Sequence, residues 1–335
     1  MLNKKVIEIA KPGNTPLVNV DGLFGVRNLY MKDETKNPNH TFKDRLAYEM
    51  VRPILDEINK CIKPKKHTFS SISYGNTAYS MGFYCDQINK ICGEEILKAL
   101  VFFPPKLIGK TYGPNTEGKM VSCKNAMEKL SKTCELIELD LSKKVYTEED
   151  LKKIAKDKGE IIGGYTDITE GLDRPAYRKI AEEAFENQLK EVPDYVIVPF
   201  GAGILCNEVI DYIKDKNLKT KVIPVSSGDP KTIAVMLYGI IWVDTESLLK
   251  NGKGFTKHRA IDKTGRKREK YLVYHVSDDE ILDTMKILNK NNITAEASGS
   301  VGFAILHRLN EIDPKFDKNK HSVLVINTGN GLLNY

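Results

Sequence analysis

The stretch Asn37-Pro38-Asn39-His40-Thr41-Phe42-Lys43-Asp44-Arg45 places one lysine at the expected start of a helix. Asn37-Pro38 makes a turn, and Thr41 can cap a helix that begins near Phe42 or Lys43. A lysine there faces the unfavourable end of the helix dipole. That disfavours the ammonium and suits a neutral nucleophile or base. The chain holds 51 Lys and Arg residues, so the stretch alone fits a solvated lysine, or one paired with Glu49, better than a catalyst.

Three further turns carry groups suited to a ligand, each where a strand runs into a turn, the place where open α/β sheets bind small molecules. In the first, Ser71–Ser80, a strand ends near Ser73, Gly75 permits an unusual backbone angle and Asn76-Thr77 opens a helix. Unpaired N–H groups at such a start bind anions, though an ordinary Asn or Thr cap reads the same way. In the second, an apolar strand enters Gly201-Ala202-Gly203 and then Ile204-Leu205. Two glycines let amides converge on a phosphate or let a helix pack tightly. No Gly-Lys-Ser/Thr follows, and Cys206 stands where a dinucleotide fingerprint needs its third glycine. The third, Thr328-Gly329-Asn330-Gly331, follows the last expected strand and also reads as a closing turn.

The elements that must position these residues alternate in period. Strand patterns at 28–32, 67–73, 99–105, 134–140, 194–200, 221–227 and 322–329 alternate with helical patterns at 44–60, 75–90, 121–133, 147–159, 174–189, 203–217, 277–292 and 299–311. Pro53 interrupts the first helical pattern. Thr147 ahead of an acidic run and Ser277 with Glu280 are capping-box patterns. Such alternation predicts an α/β fold with mainly parallel sheets. Continuous apolar strands such as Tyr195–Phe200 fit sheets covered on both faces.

With 335 residues and 41% apolar content, the chain can bury one large domain or two lobes. Its net charge of +6 is spread along the chain, which does not point to nucleic acid. The densest basic run, Lys250–Lys270, reads as a solvated surface loop, or as a mobile lid or anion-steering surface. The six cysteines form no C-x-x-C pair and no metal-ligand spacing with histidine, which favours a reduced, cytoplasmic setting. No signal core or membrane-length apolar run is present.

Six stretches carry a resemblance by their order and spacing: Gly13–Leu17, Leu29–Arg45, Ser73–Ala78, Val198–Gly203, Glu296–Leu306 and Asn327–Gly331. Together they resemble the pyridoxal-phosphate enzymes of the tryptophan synthase β fold, fold type II, and most of all the threonine synthases. The resemblance spans almost the whole chain, and the Asn-Pro…Phe-Lys-Asp-Arg run is its most specific part. It implies a two-lobed fold, each lobe a mainly parallel twisted sheet flanked by helices. The cofactor would lie between a large domain of residues 1–43 plus 156–335 and a small mobile domain of residues 44–155. It implies that Lys43 forms the Schiff base with pyridoxal 5'-phosphate and that Asn76 meets the ring hydroxyl. Gly201, Ala202, Gly203, Ile204 and Leu205 would cradle the phosphate, and Thr328 would face the pyridine nitrogen. Ser73, Gly75 and Thr77 would hold the substrate carboxylate. Family members are commonly homodimers.

The chemistry implied is elimination or replacement at the β or γ carbon of an amino acid, as in amino-acid biosynthesis. A threonine hydroxyl does not enforce protonation of the ring nitrogen as a carboxylate would, which favours lyase over transaminase chemistry. A serine/threonine dehydratase or a cysteine synthase-like β-replacement enzyme is the alternative, and a non-catalytic cofactor-binding regulator a second. Two departures bear on this. His40 stands where threonine synthases carry a glycine, either reshaping the pocket or pointing to solvent. Ile168 falls where they carry an arginine for the substrate's phosphate, a role Arg174 or Arg178 would have to fill.

Overall fold

A computed structural model of the chain describes residues 7–73, 75–104, 111–114, 119–140, 143, 146–168, 173–227, 232–234, 246–250, 253–261 and 267–331. Among them, the larger sheet has eight strands. These are β1 (Leu17–Asn19), β2 (Asn28–Asp33), β9 (Tyr195–Pro199), β10 (Lys221–Ser227), β11 (Glu246–Lys250), β12 (Lys253–Ile261), β13 (Lys267–Val276) and β14 (Ser322–Asn327). Their order is β1-β2-β14-β9-β10-β13-β12-β11. The central run from β2 to β13 is parallel, and β1, β12 and β11 are added antiparallel at the flanks. A four-stranded parallel sheet holds β3 (His67–Ile72), β4 (Leu97–Phe103), β7 (Glu135–Glu138) and β8 (Gly164–Asp167), in the order β7-β4-β3-β8. It therefore takes in a strand beyond residue 155. A small antiparallel pair, β5 (Thr111–Pro114) and β6 (Met120–Ser122), stands apart.

The helices are α1 (Lys43–Asn59), α2 (Asn76–Cys92), α3 (Cys123–Leu130), α4 (Glu148–Asp157), α5 (Asp173–Glu182), α6 (Ile204–Asp215), α7 (Asp278–Lys290), α8 (Ala297–Ala304) and α9 (Leu309–Ile312). One buried cluster joins Leu46 of α1, Met81 of α2, Tyr177 of α5 and Tyr212 of α6 to Val101 of β4 and Val198 of β9. The two sheets thus share one core. A second cluster packs Val301 and Phe303 of α8 on the other face of the large sheet, against Met31, Ile197 and Val325. A third seats Leu151 of α4 on Leu100 and Phe102. Every residue of β9 is buried, as a parallel strand covered on both faces requires.

Both capping boxes form, Thr147 with Asp150 and Ser277 with Glu280. Pro53 does not break α1: it sits inside the helix on an exposed position, where the carbonyl it leaves unpaired can meet water. The basic run is not the loop expected from composition. Residues 253–261 and 267–276 are paired antiparallel strands that extend the large sheet. None of the described helices is long and apolar enough to cross a membrane.

Candidate active site

Strands β2, β14, β9 and β10 are parallel, so the loops that follow their carboxyl ends emerge at one edge of the sheet. The register pairs Asn327 with Asp33. The chain after β2 therefore leaves beside the chain after β14. These two loops then pair directly. Thr41 and Gly329 form an antiparallel bridge, Phe42 N–H donates to the Thr328 carbonyl at 3.0 Å, and Asn330 N–H donates to the His40 carbonyl at 2.9 Å. Lys43, the first residue of α1, follows at once. A side chain on Gly329 would put its Cβ 2.7 Å from the His40 carbonyl, so this close approach needs glycine.

The helix start at Lys43 is built by its neighbours. The Thr41 hydroxyl accepts the Lys43 N–H at 3.3 Å. The buried Asp44 carboxylate accepts the Asn39 N–H at 2.6 Å and the Asn39 side chain at 2.7 Å. Burial, only partly offset by the Asn39 hydrogen bonds, raises the Asp44 carboxyl to about 6. Arg45 meets Glu34 at 2.7 Å and Glu183 at 2.7 Å, and Lys32 meets Glu183 at 2.7 Å. Burial opposes the charge on Glu183, but Arg45 and Lys32 outweigh it and hold the carboxyl down at about 2. Gly13–Thr15 joins the same cluster through Asn37, Glu183 and Glu34. These bonds tie the segments Gly13–Thr15 and Lys32–Asn37 to the start of α1.

Lys43 Nζ donates to the Tyr177 hydroxyl of α5 at 2.9 Å. It also lies 4.6 Å from the Phe42 ring centre and 5.1 Å from that of Tyr177. Tyr177 was not visible as a site residue in the sequence. Its position in an amphipathic helix reads as core, and it is indeed fully buried.

Helix α2 begins at Asn76, with Gly75 as its cap and no side-chain capping bond. An ordinary Asn or Thr cap is therefore not what opens this helix. Gly75 has φ −142° and ψ −145°, not a left-handed angle. Ser73 and Gly75 are buried, and Thr77 is half-buried. Asn76 is buried, its Nδ2 donates to Glu296 Oε1 at 2.8 Å, and its Oδ1 has no partner among the described residues. An unsatisfied buried acceptor costs stability unless a ligand or water meets it.

Gly203 caps α6 in the left-handed conformation, φ 83°, again with no side-chain cap. The first helical bond runs from Asn207 N–H to the Gly203 carbonyl. Among the described residues no acceptor is found for the N–H groups of Ala202, Gly203, Ile204 and Leu205. That is the geometry of a phosphate cradle, with the helix dipole adding attraction for an anion. Because β9 pairs with β14, this cradle opens at the same sheet edge as Thr328. A phosphate held at the α6 start fits these residues.

The departures resolve in part. His40 has φ 58°, the conformation for which a glycine is ordinarily kept. Its side chain is exposed, with Nδ1 3.0 Å from the Thr35 carbonyl. Ile168 is buried in the shared core, and its N–H donates to the Ser70 carbonyl at 2.8 Å. Arg178 bonds Asp215 at 2.8 Å and Glu182 at 3.3 Å, turned onto α6. It does not take the place of the missing arginine. The side chain of Arg174 lies outside the described residues.

A curated relative, cysteine synthase B of Campylobacter jejuni, is 36% identical over 86 residues, 25% of this chain and 26% of that protein. The chain thus spans about a quarter of that relative's length in the match. Among solved structures, a hydrogen sulfide-producing enzyme from Fusobacterium nucleatum is similar with TM-score 0.61 and 20% identity, covering 96% of this chain and 97% of that one. Diaminopropionate ammonia lyase from Escherichia coli is similar with TM-score 0.62 and 18% identity, covering 97% and 85%. These likenesses establish the shared fold. The profile of the pyridoxal-phosphate dependent enzymes matches residues 10–329, and the α6 start suits a phosphate: the chain belongs to that family and uses pyridoxal 5'-phosphate.

Proposed function

We propose that the chain is an amino-acid lyase or synthase that eliminates or replaces a substituent at the β or γ carbon, with β chemistry favoured. The observation that carries the choice is the fate of the phosphate-clamp position. Ile168 is in the core and Arg178 is engaged by Asp215, so neither supports a substrate bearing a side-chain phosphate. Threonine synthase-like γ chemistry remains the second reading, supported by the Asn-Pro…Phe-Lys-Asp-Arg and Thr-Gly-Asn-Gly runs. The similar proteins named as cysteine synthase, hydrogen sulfide-producing enzyme and ammonia lyase agree with the first.

When bound, the cofactor supplies an electron sink that acidifies the substrate's Cα–H bond. Lys43 would hold the cofactor, and its Nζ would take the substrate's Cα proton. The α6 start holds the phosphate through the N–H groups of Gly201, Ala202, Gly203, Ile204 and Leu205. Asn76 would meet the ring hydroxyl, and Thr328 would meet the ring nitrogen as a neutral partner. Ser73, Gly75 and Thr77, at the start of α2, bind the substrate carboxylate. The four-stranded lobe moves against the larger one, and two copies form a homodimer.

The test is a panel of amino acids with purified, cofactor-loaded protein. An oxoacid and ammonia from serine, threonine or diaminopropionate, or sulfide exchange on a β-substituted alanine, is the expected result. Threonine and inorganic phosphate from O-phosphohomoserine would establish the second reading instead. A cofactor trapped on Lys43 by borohydride, with no turnover across the panel, would make the protein a regulator.

A further inference from the structure

The run Glu296–Leu306 has been given no role, yet its first residue touches two parts of the candidate site. Glu296 is the N-cap of α8, in extended backbone geometry, and its carboxylate makes no capping bond to its own helix. Oε1 instead accepts Asn76 Nδ2 at 2.8 Å, with both residues buried. The Glu296 N–H donates to the Gly329 carbonyl at 3.0 Å. One residue thus binds the amide at the start of α2 and the loop that carries Thr328.

The chemistry of this contact is directional. Oε1 is the acceptor in this contact, so Glu296 takes the nitrogen side of the Asn76 amide and turns the oxygen away. The oxygen then lies against Gly331, where a Cβ would come within 2.6 Å of it. Without Glu296 the amide could turn over at little cost, exchanging donor for acceptor. The contact also spans the two sheets. Asn76 stands on the helix that follows β3 of the four-stranded sheet, whereas Glu296 and Gly329 belong to the eight-stranded one.

We propose that Glu296 is a positioning residue that fixes the turn of the Asn76 amide and joins it to the Thr328–Gly331 loop, so that the two ring contacts are set together. This rests on the reading of Asn76 as a ring contact. Glu296 acts through Asn76, so its effect vanishes when Asn76 is gone.

The experiment is a double-substitution cycle on the holoenzyme with Glu296→Ala, Asn76→Ala and both. It reads the cofactor dissociation constant and the visible circular dichroism of the bound cofactor. Glu296→Ala is expected to weaken cofactor binding about tenfold and to change the dichroic band, by loss of a buried hydrogen bond. In the Asn76→Ala background the same change should be under about twofold. Glu296→Gln, which keeps an acceptor at the same reach, should restore most of the band, and Glu296→Ser, too short to reach Asn76, takes the place of Glu296→Ala in both backgrounds if that variant does not fold. Equal losses in both backgrounds, or an unchanged dichroic band, overturn the inference. If Asn76→Ala itself leaves cofactor binding untouched, the ring-contact reading falls first and the inference with it. If Asn76→Ala weakens binding while no Glu296 variant does, only the inference falls.

Discussion

Lys43 Nζ on α1 and the Tyr177 hydroxyl on α5 are 2.9 Å apart, so the amine proposed to carry the cofactor is held by a phenol from another helix. An acceptor beside an amine favours its protonated form. Tyr177→Phe keeps the ring against Phe42 and removes only that acceptor. Cofactor attachment to Lys43 should then begin at a lower pH, with stability changed by no more than about 1 kcal/mol. Absorbance titration of variant and parent checks it, and an unchanged or higher onset would rule out the phenol as the lysine's partner.

Gly329→Ala forces a Cβ toward the His40 carbonyl, 2.7 Å away, and toward Thr41. The backbone cannot yield without parting residues 40–42 from 328–330. We expect a loss of about 2–4 kcal/mol in urea unfolding and a cofactor dissociation constant raised at least about tenfold. Cofactor binding at the parental level would show that the pairing does not organise the site.

Glu183 and Asp44 give opposite pH signatures. The Glu183 carboxyl is lowered from 4.5 to about 2, so its stabilisation is whole above pH 4.5 and is lost as pH falls toward 2. The Asp44 carboxyl is raised from 3.8 to about 6. The fold prefers its protonated form, so this contribution fades as pH rises from 3.8 through 6. Glu183→Gln should cost about 3–5 kcal/mol at pH 7 and flatten the acid limb below pH 4.5. Urea midpoints at pH 7, 5 and 3 distinguish the two, and an acid limb as steep as the parent's would contradict the assignment.

At position 40 the backbone angle, not the imidazole, is the constraint. His40→Gly should leave stability within about 1 kcal/mol of the parent, since relief of the left-handed angle offsets the lost Thr35 contact and the added chain entropy. His40→Val should cost about 1–2 kcal/mol more, because a branched Cβ is poorly tolerated there. Thermal melts of the two variants settle the order.

Much of this was legible in the sequence because it rests on local pattern. The strands β9, β10 and β14 and the helices α2, α6 and α7 follow from apolar period and capping residues, and the glycine turns marked where a ligand could lie. The rest depends on distance along the chain. Tyr177 and Glu183 reach Lys43 and Arg45 from a helix more than a hundred positions away, and nothing in their own neighbourhood marks them. The strand Gly164–Asp167 is too short and too exposed to show a period. The charges of the run near residue 260 masked strands that pair with each other, since high charge reads as loop when the partner strand is out of view.

Strand β14 follows all the other described strands in sequence, yet it lies between β2 and β9 in the middle of the large sheet. During synthesis the gap between β2 and β9 must stay open until residues 322–327 have left the ribosome. The segment that carries Lys43 is made long before the Thr328 carbonyl that meets Phe42. A nascent chain that has not yet reached Thr328 therefore lacks the backbone pairing that fixes the start of α1.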